Sequence, residues 1–183
     1  MTTLSHVRLA ALFGVLLLVL AFAGCGNVSR GVPPAEGILN FGRVNETFFR
    51  GAQPDEAGIA NLSRLGVRTM INLRLRSDTL AGEEAAARSH GIGYVSEPFQ
   101  GMGAPTDAQV AKVLALIDSS PSPVFVHCEH GADRTGMIVA CYRQRHDHWR
   151  AERALAEAKD YGFSLFQVGM RRYIKAFSPA PPR

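Results

Sequence analysis

Two hydrophobic periods alternate along the chain, and where one ends a glycine or proline usually stands. Glu46–Arg50 reads as a strand closing at a turn on Gly51. Pro54 then opens a helix running to Leu65, with Ile59, Leu62 and Leu65 at three-residue spacing on one face and Gly66 as the stop signal. Val67–Leu73 alternates and is rich in β-formers, Glu83–His90 is helical up to Gly91, and Gly93–Phe99 is a third strand. Asp107–Asp118 places Val110, Val113, Leu114 and Ile117 on one side of a helix. Val124-Phe125-Val126 is a short, wholly apolar strand of the kind buried inside a parallel sheet. Helices over Thr135–Arg145, Ala151–Tyr161 and Phe166–Ala176 complete the pattern. The alternation predicts an α/β fold, a single domain with a central, mostly parallel sheet flanked by helices.

The N-terminal pattern is different. An apolar stretch from Leu9 to Gly24 follows a weakly basic start at His6 and Arg8. At 1.5 Å per residue it reaches roughly 24 Å, short of a bilayer core of roughly 30 Å, and it closes on the small residues Ala23 and Gly24. Residues 1–24 therefore read as an export signal. The run Ala21-Phe22-Ala23-Gly24-Cys25 resembles the lipobox of bacterial lipoproteins, which implies lipidation on Cys25 and a place on the exported side of the bacterial envelope, anchored to the membrane; an uncleaved N-terminal anchor is the alternative. Residues 25–44 are expected to be the lipidated cysteine and a flexible tether rich in Gly, Ser, Asn and Pro, residues 45–178 the folded domain, and 179–183 a frayed, proline-rich tail.

Composition narrows the function. Hydrophobic residues at 46% and charged residues at 20% describe a globular chain and exclude disorder as the default. A net charge of +4, from 20 basic and 16 acidic residues without a long basic run, favours anionic substrates and argues against a nucleic-acid footprint. With three cysteines, Cys25, Cys128 and Cys141, there is no disulfide framework. Cys141 lies among apolar neighbours and reads as a buried structural thiol, with a redox partnership to Cys128 as the lesser alternative.

The chemistry concentrates in Val126-His127-Cys128-Glu129-His130-Gly131-Ala132-Asp133-Arg134-Thr135-Gly136, where a buried strand enters a loop and the loop enters a helix. Ligands of parallel sheets bind at the carboxyl ends of strands. The helix start beside that end offers unpaired N–H groups and partial positive charge to an anion. Phosphate is thus expected on Glu129, His130, Gly131, Ala132, Asp133 and Arg134, with Gly131 allowing the tight curl. A cysteine so placed beside an arginine can titrate at about 3.5–7.5 instead of about 8.5, which makes Cys128 a nucleophile. Arg134 offers a planar fork to two phosphoryl oxygens. Thr135 can offer its hydroxyl to the sulfur when it leaves. No cofactor and no metal are called for: His127, Cys128 and His130 are too crowded for one tetrahedral ion, and His146 and His148 point apart on a helix.

His-Cys-x5-Arg-Thr-Gly, with the upstream run from Phe49 to Arg74, resembles the cysteine-dependent protein tyrosine and dual-specificity phosphatases, in their bacterial dual-specificity-like branch, over about residues 45–178. The resemblance implies a phosphatase fold, hydrolysis through a phosphocysteine, and a supporting role for His127 behind the loop. It also implies a general-acid aspartate on a separate loop after the strand preceding the motif. Here that segment, Ser96–Asp107, has no aspartate directly after Pro98, so the acid is left to Asp107, Asp133 or Glu97, or to a substrate whose leaving group needs none. Thr106–Gln109 also reads as a capping box that would employ Asp107 structurally. Relatives that cleave inositol pyrophosphates carry several basic residues in the loop, whereas Glu129 and Asp133 are acidic, which points to a phosphorylated protein or a small phosphomonoester of moderate charge. A non-catalytic phospho-ligand module and a thiol-dependent oxidoreductase of the arsenate-reductase type are the competing readings.

Overall fold

The computed structural model of the chain describes residues 34–78 and 81–178. The expected export signal, Cys25, most of the expected tether and the tail lie outside the described residues. Five strands form one sheet in the order β1-β2-β5-β3-β4. They are β1 (Gly42–Asn45), β2 (Phe48–Ala52), β3 (Thr69–Asn72), β4 (Gly93–Ser96) and β5 (Val124–Cys128). β1 is antiparallel to β2, and all other pairs are parallel. The β1–β2 turn is closed by Asn45, whose Oδ1 accepts from the Thr47 N–H at 2.9 Å. The helices are α1 (Glu56–Arg64), α2 (Glu83–Ser89), α3 (Asp107–Ser119), α4 (Asp133–His146), α5 (Ala151–Asp160) and α6 (Val168–Ala176).

β5 is central and buried at every position, as its apolar sequence requires. Its alternation sorts the two faces of the sheet. Val124, Val126 and Cys128 pack with Met137, Ile138 and Cys141 on the side of α3 to α6, while Phe125 packs with Ile59, Leu62 and Ala87 on the side of α1 and α2. At the end of β5, Cys128 and His127 therefore face opposite layers.

Three boundaries differ from expectation. The folded region starts before residue 45: Ile38 is buried against β2, Asn40 is buried too, and β1 occupies 42–45, so the expected tether of 25–44 ends near residue 35. Those residues read as linker because the pairing that orders them is with β2 and the loop after β5, distant in sequence. α4 begins at Asp133 instead of Thr135, since Gly136 N–H already reaches the Ala132 carbonyl at 2.8 Å. α6 begins at Val168, which leaves Leu165 and Phe166 exposed in the preceding loop. The capping box at Thr106 and Gln109 forms as expected.

Candidate active site

In the loop from Cys128 to Arg134, each carbonyl from Cys128 to Ala132 has a donor. The Cys128 carbonyl faces His127 Nδ1 at 3.3 Å, and because a carbonyl can only accept, Nδ1 carries the proton. Glu129 O accepts from the Gln53 N–H at 3.2 Å. His130 O accepts from Asn40 Nδ2 at 2.8 Å, and Gly131 O from Arg50 Nη2 at 2.6 Å. Ala132 O takes the first helical bond of α4. Across a trans peptide the C=O and the next N–H point in opposite directions. Five outward carbonyls thus turn the N–H groups of Glu129, His130, Gly131, Ala132 and Asp133 inward, and none of the first four has an acceptor among the described residues. The result is a ring of donors around the mouth of β5, at the start of α4: an anion cradle.

Gly131 is required in that ring. Its φ is +66°, and a Cβ there would lie 2.4 Å from the carbonyl carbon of Gly51. Arg134 stands in the first turn of α4, 7% exposed, with Nη1 buried and unpartnered among the described residues and Nη2 3.7 Å from Glu129 Oε2. Cys128 is a free thiol, 2% exposed, at the floor. A buried guanidinium without a full set of acceptors is costly to keep. Together with inward amides it is matched to a tetrahedral oxyanion. Thr135 Oγ1 is buried and has no hydrogen-bond partner among the described residues; its expected bond is to the sulfur as that sulfur leaves.

A second buried cation sits behind the loop. Arg50, in the middle of β2, is 1% exposed, stacks its guanidinium 3.8 Å from the Tyr161 ring centroid and holds the Gly131 carbonyl. Burial lowers its pKa from 12.5 to about 10, against which the neighbouring Tyr161, Glu157 and Cys128 act, so it stays charged at neutral pH. His127, wholly buried and stacked on Phe125, has its pKa pushed down by burial to about 3 and is a neutral ring. Neither Arg50 nor Asn40 was legible as a site residue from periodicity. The one signal was a charge in the middle of an otherwise apolar strand, Phe48-Phe49-Arg50.

The three acid candidates fare differently. Asp133 adjoins the cradle, but Oδ1 accepts from the Ser164 N–H at 2.7 Å and Oδ2 from Gln167 Nε2 at 3.2 Å, so its carboxylate anchors the 164–167 segment. Glu97 is paired with Lys112 Nζ at 2.7 Å. Asp107 is exposed at the start of α3, where Oδ1 accepts from Tyr173 Oη at 2.8 Å. His130 is exposed and 3.9 Å from Glu129 Oε1. Cys141 is fully buried and its thiol pKa is raised by burial, in keeping with a structural role. Among the described residues no group of acidic, His and Cys side chains could hold a metal ion.

Residues 33–174 match the model of a family described as DSP-PTPase phosphatase fused to NAD+ kinase. The chain belongs to this DSP-PTPase family. Within it, the chain is 32% identical over 127 residues to the dual specificity protein phosphatase TpbA of Pseudomonas aeruginosa, covering 68% of this chain and 56% of that one. The chain thus spans little more than half the length of this curated relative. It is 26% identical over 152 residues to the inositol diphosphatase DSP4 of Arabidopsis thaliana, covering 80% and 73% of the two chains. The crystal structure of a P. aeruginosa TpbA variant in complex with pTyr superposes with a TM-score of 0.68 at 25% identity, over 82% of this chain and 91% of that one. The expected fold is the one found, and the DSP-PTPase motif is the segment that builds the cradle.

Proposed function

We propose that this DSP-PTPase domain hydrolyses phosphomonoesters through a phosphocysteine on Cys128. The observation that carries the reading is the loop whose carbonyls are all held outward while Arg134 and Cys128 face in. The sulfur, as thiolate, attacks phosphorus. The ester P–O bond breaks, and the leaving oxygen takes a proton from an acid. Water then attacks the phosphocysteine, inorganic phosphate leaves, and the sulfur electron pair returns to Cys128. Inward amides and Arg134 stabilise the phosphoryl oxygens at both steps. Asp107 is the acid this reading assigns, being the candidate carboxylate that is exposed and held by a single neutral donor.

The substrate is a phosphotyrosyl protein or another monoester of moderate charge. Glu129 Oε2 stands 3.7 Å from Arg134 and 3.9 Å from Arg74, so part of the local positive charge is already answered. At 46% exposure Glu129 is screened, and each further substrate charge brought within about 4 Å meets about 1 kcal/mol of repulsion. Kinship with an inositol diphosphatase keeps a polyphosphorylated inositol as the second reading, and the acidic Glu129 weighs against it. The domain is placed at the exported face of a bacterial membrane by lipid on Cys25; a Cys25→Ala chain recovered with membranes would remove that assignment. Phosphate release from an aryl phosphate is expected from the wild type and not from Cys128→Ser. Equal rates in the two, or none in either, would refute the phosphatase reading.

A further inference from the structure

Behind the cradle, on the face of the sheet opposite Cys128, a carboxyl group is buried against His127. Glu83 is the first residue of α2, and its side chain is 2% exposed while that of His127 is fully buried. Oε2 accepts two hydrogen bonds, from Tyr94 Oη at 2.6 Å and from Asn72 Nδ2 at 3.1 Å. Oε1 faces His127 Nε2 at 3.4 Å, neither atom has another hydrogen-bond partner of good geometry among the described residues, and the Gln53 side-chain amide lies close enough to act on the carboxyl group. Since Nδ1 already carries the proton given to the Cys128 carbonyl, Nε2 of a neutral ring holds a lone pair. A carboxylate oxygen opposite it would set lone pair against lone pair in a dry interior. One proton must lie between them.

Resting on the phosphatase reading, we propose that Glu83 is a positioning residue for the phosphate loop: as an uncharged carboxylic acid it donates from Oε1 to His127 Nε2, fixing the ring with Nδ1–H on the Cys128 carbonyl and so turning the Glu129 amide into the cradle. The division of labour within the carboxyl group agrees, with Oε2 taking two donors as the carbonyl oxygen and Oε1 carrying the hydroxyl. Burial raises the Glu83 pKa against the opposing pull of Tyr94, Arg74 and Gln53, and burial together with the charges of Arg74 and Arg134 holds the ring neutral, which is the same distribution. An uncharged acid also places no negative charge beneath the anion site, where a carboxylate would oppose the bound phosphoryl group.

Glutamine separates this arrangement from a buried ion pair, because its amide keeps an N–H for Nε2 and a carbonyl for Tyr94 and Asn72 but can carry no charge. Glu83→Gln is expected to stay within about fivefold of wild type in kcat for an aryl phosphate and in tungstate affinity, while Glu83→Ala loses about tenfold to a hundredfold in both. Imidazole 15N spectra of the wild type and Glu83→Gln should show a neutral His127 protonated on Nδ1 between pH 5 and 8. A Glu83→Gln protein as impaired as Glu83→Ala, a Glu83→Ala protein as active as wild type, or an imidazolium at His127 would overturn the proposal. Should Glu83→Ala not fold, the spectra and Glu83→Gln decide alone. A wild type that releases no phosphate refutes the phosphatase reading, whereas the tungstate and 15N measurements still read Glu83.

Discussion

The phosphate loop and the segment that precedes α3 are joined through Gln167, which donates to Asp133 and to the Gly101 carbonyl, but they are built in opposite ways. Between Cys128 and Ala132 each carbonyl has a donor from a different part of the chain: Asn40, Arg50, Gln53, His127 and the first turn of α4. Residues 101–104, in contrast, are exposed and include two glycines. They are tied down by Gln167, whose Nε2 donates to the Gly101 carbonyl at 2.7 Å, and by close packing of Gly103 on Gly169. The donors of the cradle are thus fixed in place, while the segment leading to Asp107, the acid we propose, is held by Gln167 and by the packing of Gly103 on Gly169. Fixed dipoles need no rearrangement at the moment of reaction. A segment that must admit and release a leaving group benefits from weak anchoring.

The sharpest way to break this comparison is to spoil the fixed half. Arg134→Lys keeps the charge but not the planar fork, and kcat for an aryl phosphate is expected to fall about 10²–10³-fold with Tm little changed. Next in size is Arg50→Met, which removes the donor to Gly131 but preserves volume. Tungstate affinity and kcat should drop about 10–100-fold, while stability holds or rises, because replacing a desolvated charge by an apolar group is often neutral or favourable. Parallel losses of activity and Tm would mean that Arg50 serves the fold alone.

How far the sequence discloses each half follows from the range of the interactions. Cys128, Gly131 and Arg134 lie in one short segment whose strand-loop-helix context is local, so the chemistry and the parallel sheet could be read directly. The donors that pin the loop come from Asn40, Arg50 and Gln53, which lie 90, 81 and 76 residues upstream of the carbonyls they hold. Asn40 sits in a stretch that reads as linker, and Glu83 reads as an ordinary acidic residue at a helix start. The acid candidates were least legible for a physical reason: Asp107 and Asp133 each have a local structural use, and the bonds that occupy Asp133 come from Ser164 and Gln167, 31 and 34 residues downstream.

A pH series sharpens the account of the layer beneath. Folded His127 stays neutral down to about pH 3, whereas in the unfolded chain the ring takes a proton near 6.5. The unfolded state therefore binds more protons in that window, and stability falls as pH drops from 6.5, by up to about 1.4 kcal/mol per pH unit. Glu83 acts in the other sense, its raised folded pKa favouring the fold on the acid side and losing that contribution as pH rises through it. Chemical denaturation at pH 6.5 and 4.5 should show a larger loss for wild type than for His127→Asn; equal losses would mean that the ring is not kept neutral by burial.

The smallest effect belongs to the weakly held half. Gln167→Ala should leave tungstate affinity unchanged and lower kcat a few-fold, about 1 kcal/mol or less, and more for an alkyl than an aryl phosphate. An equal fall in tungstate affinity would show the two halves to be one rigid unit.

The most direct measurement is acid quenching during turnover of an aryl phosphate, followed by peptide mass spectrometry. The account predicts a phosphoryl group on the peptide that contains Cys128, on the sulfur, and none in Cys128→Ser. Steady turnover with that cysteine unmodified, or a phosphoryl group carried elsewhere, would contradict it.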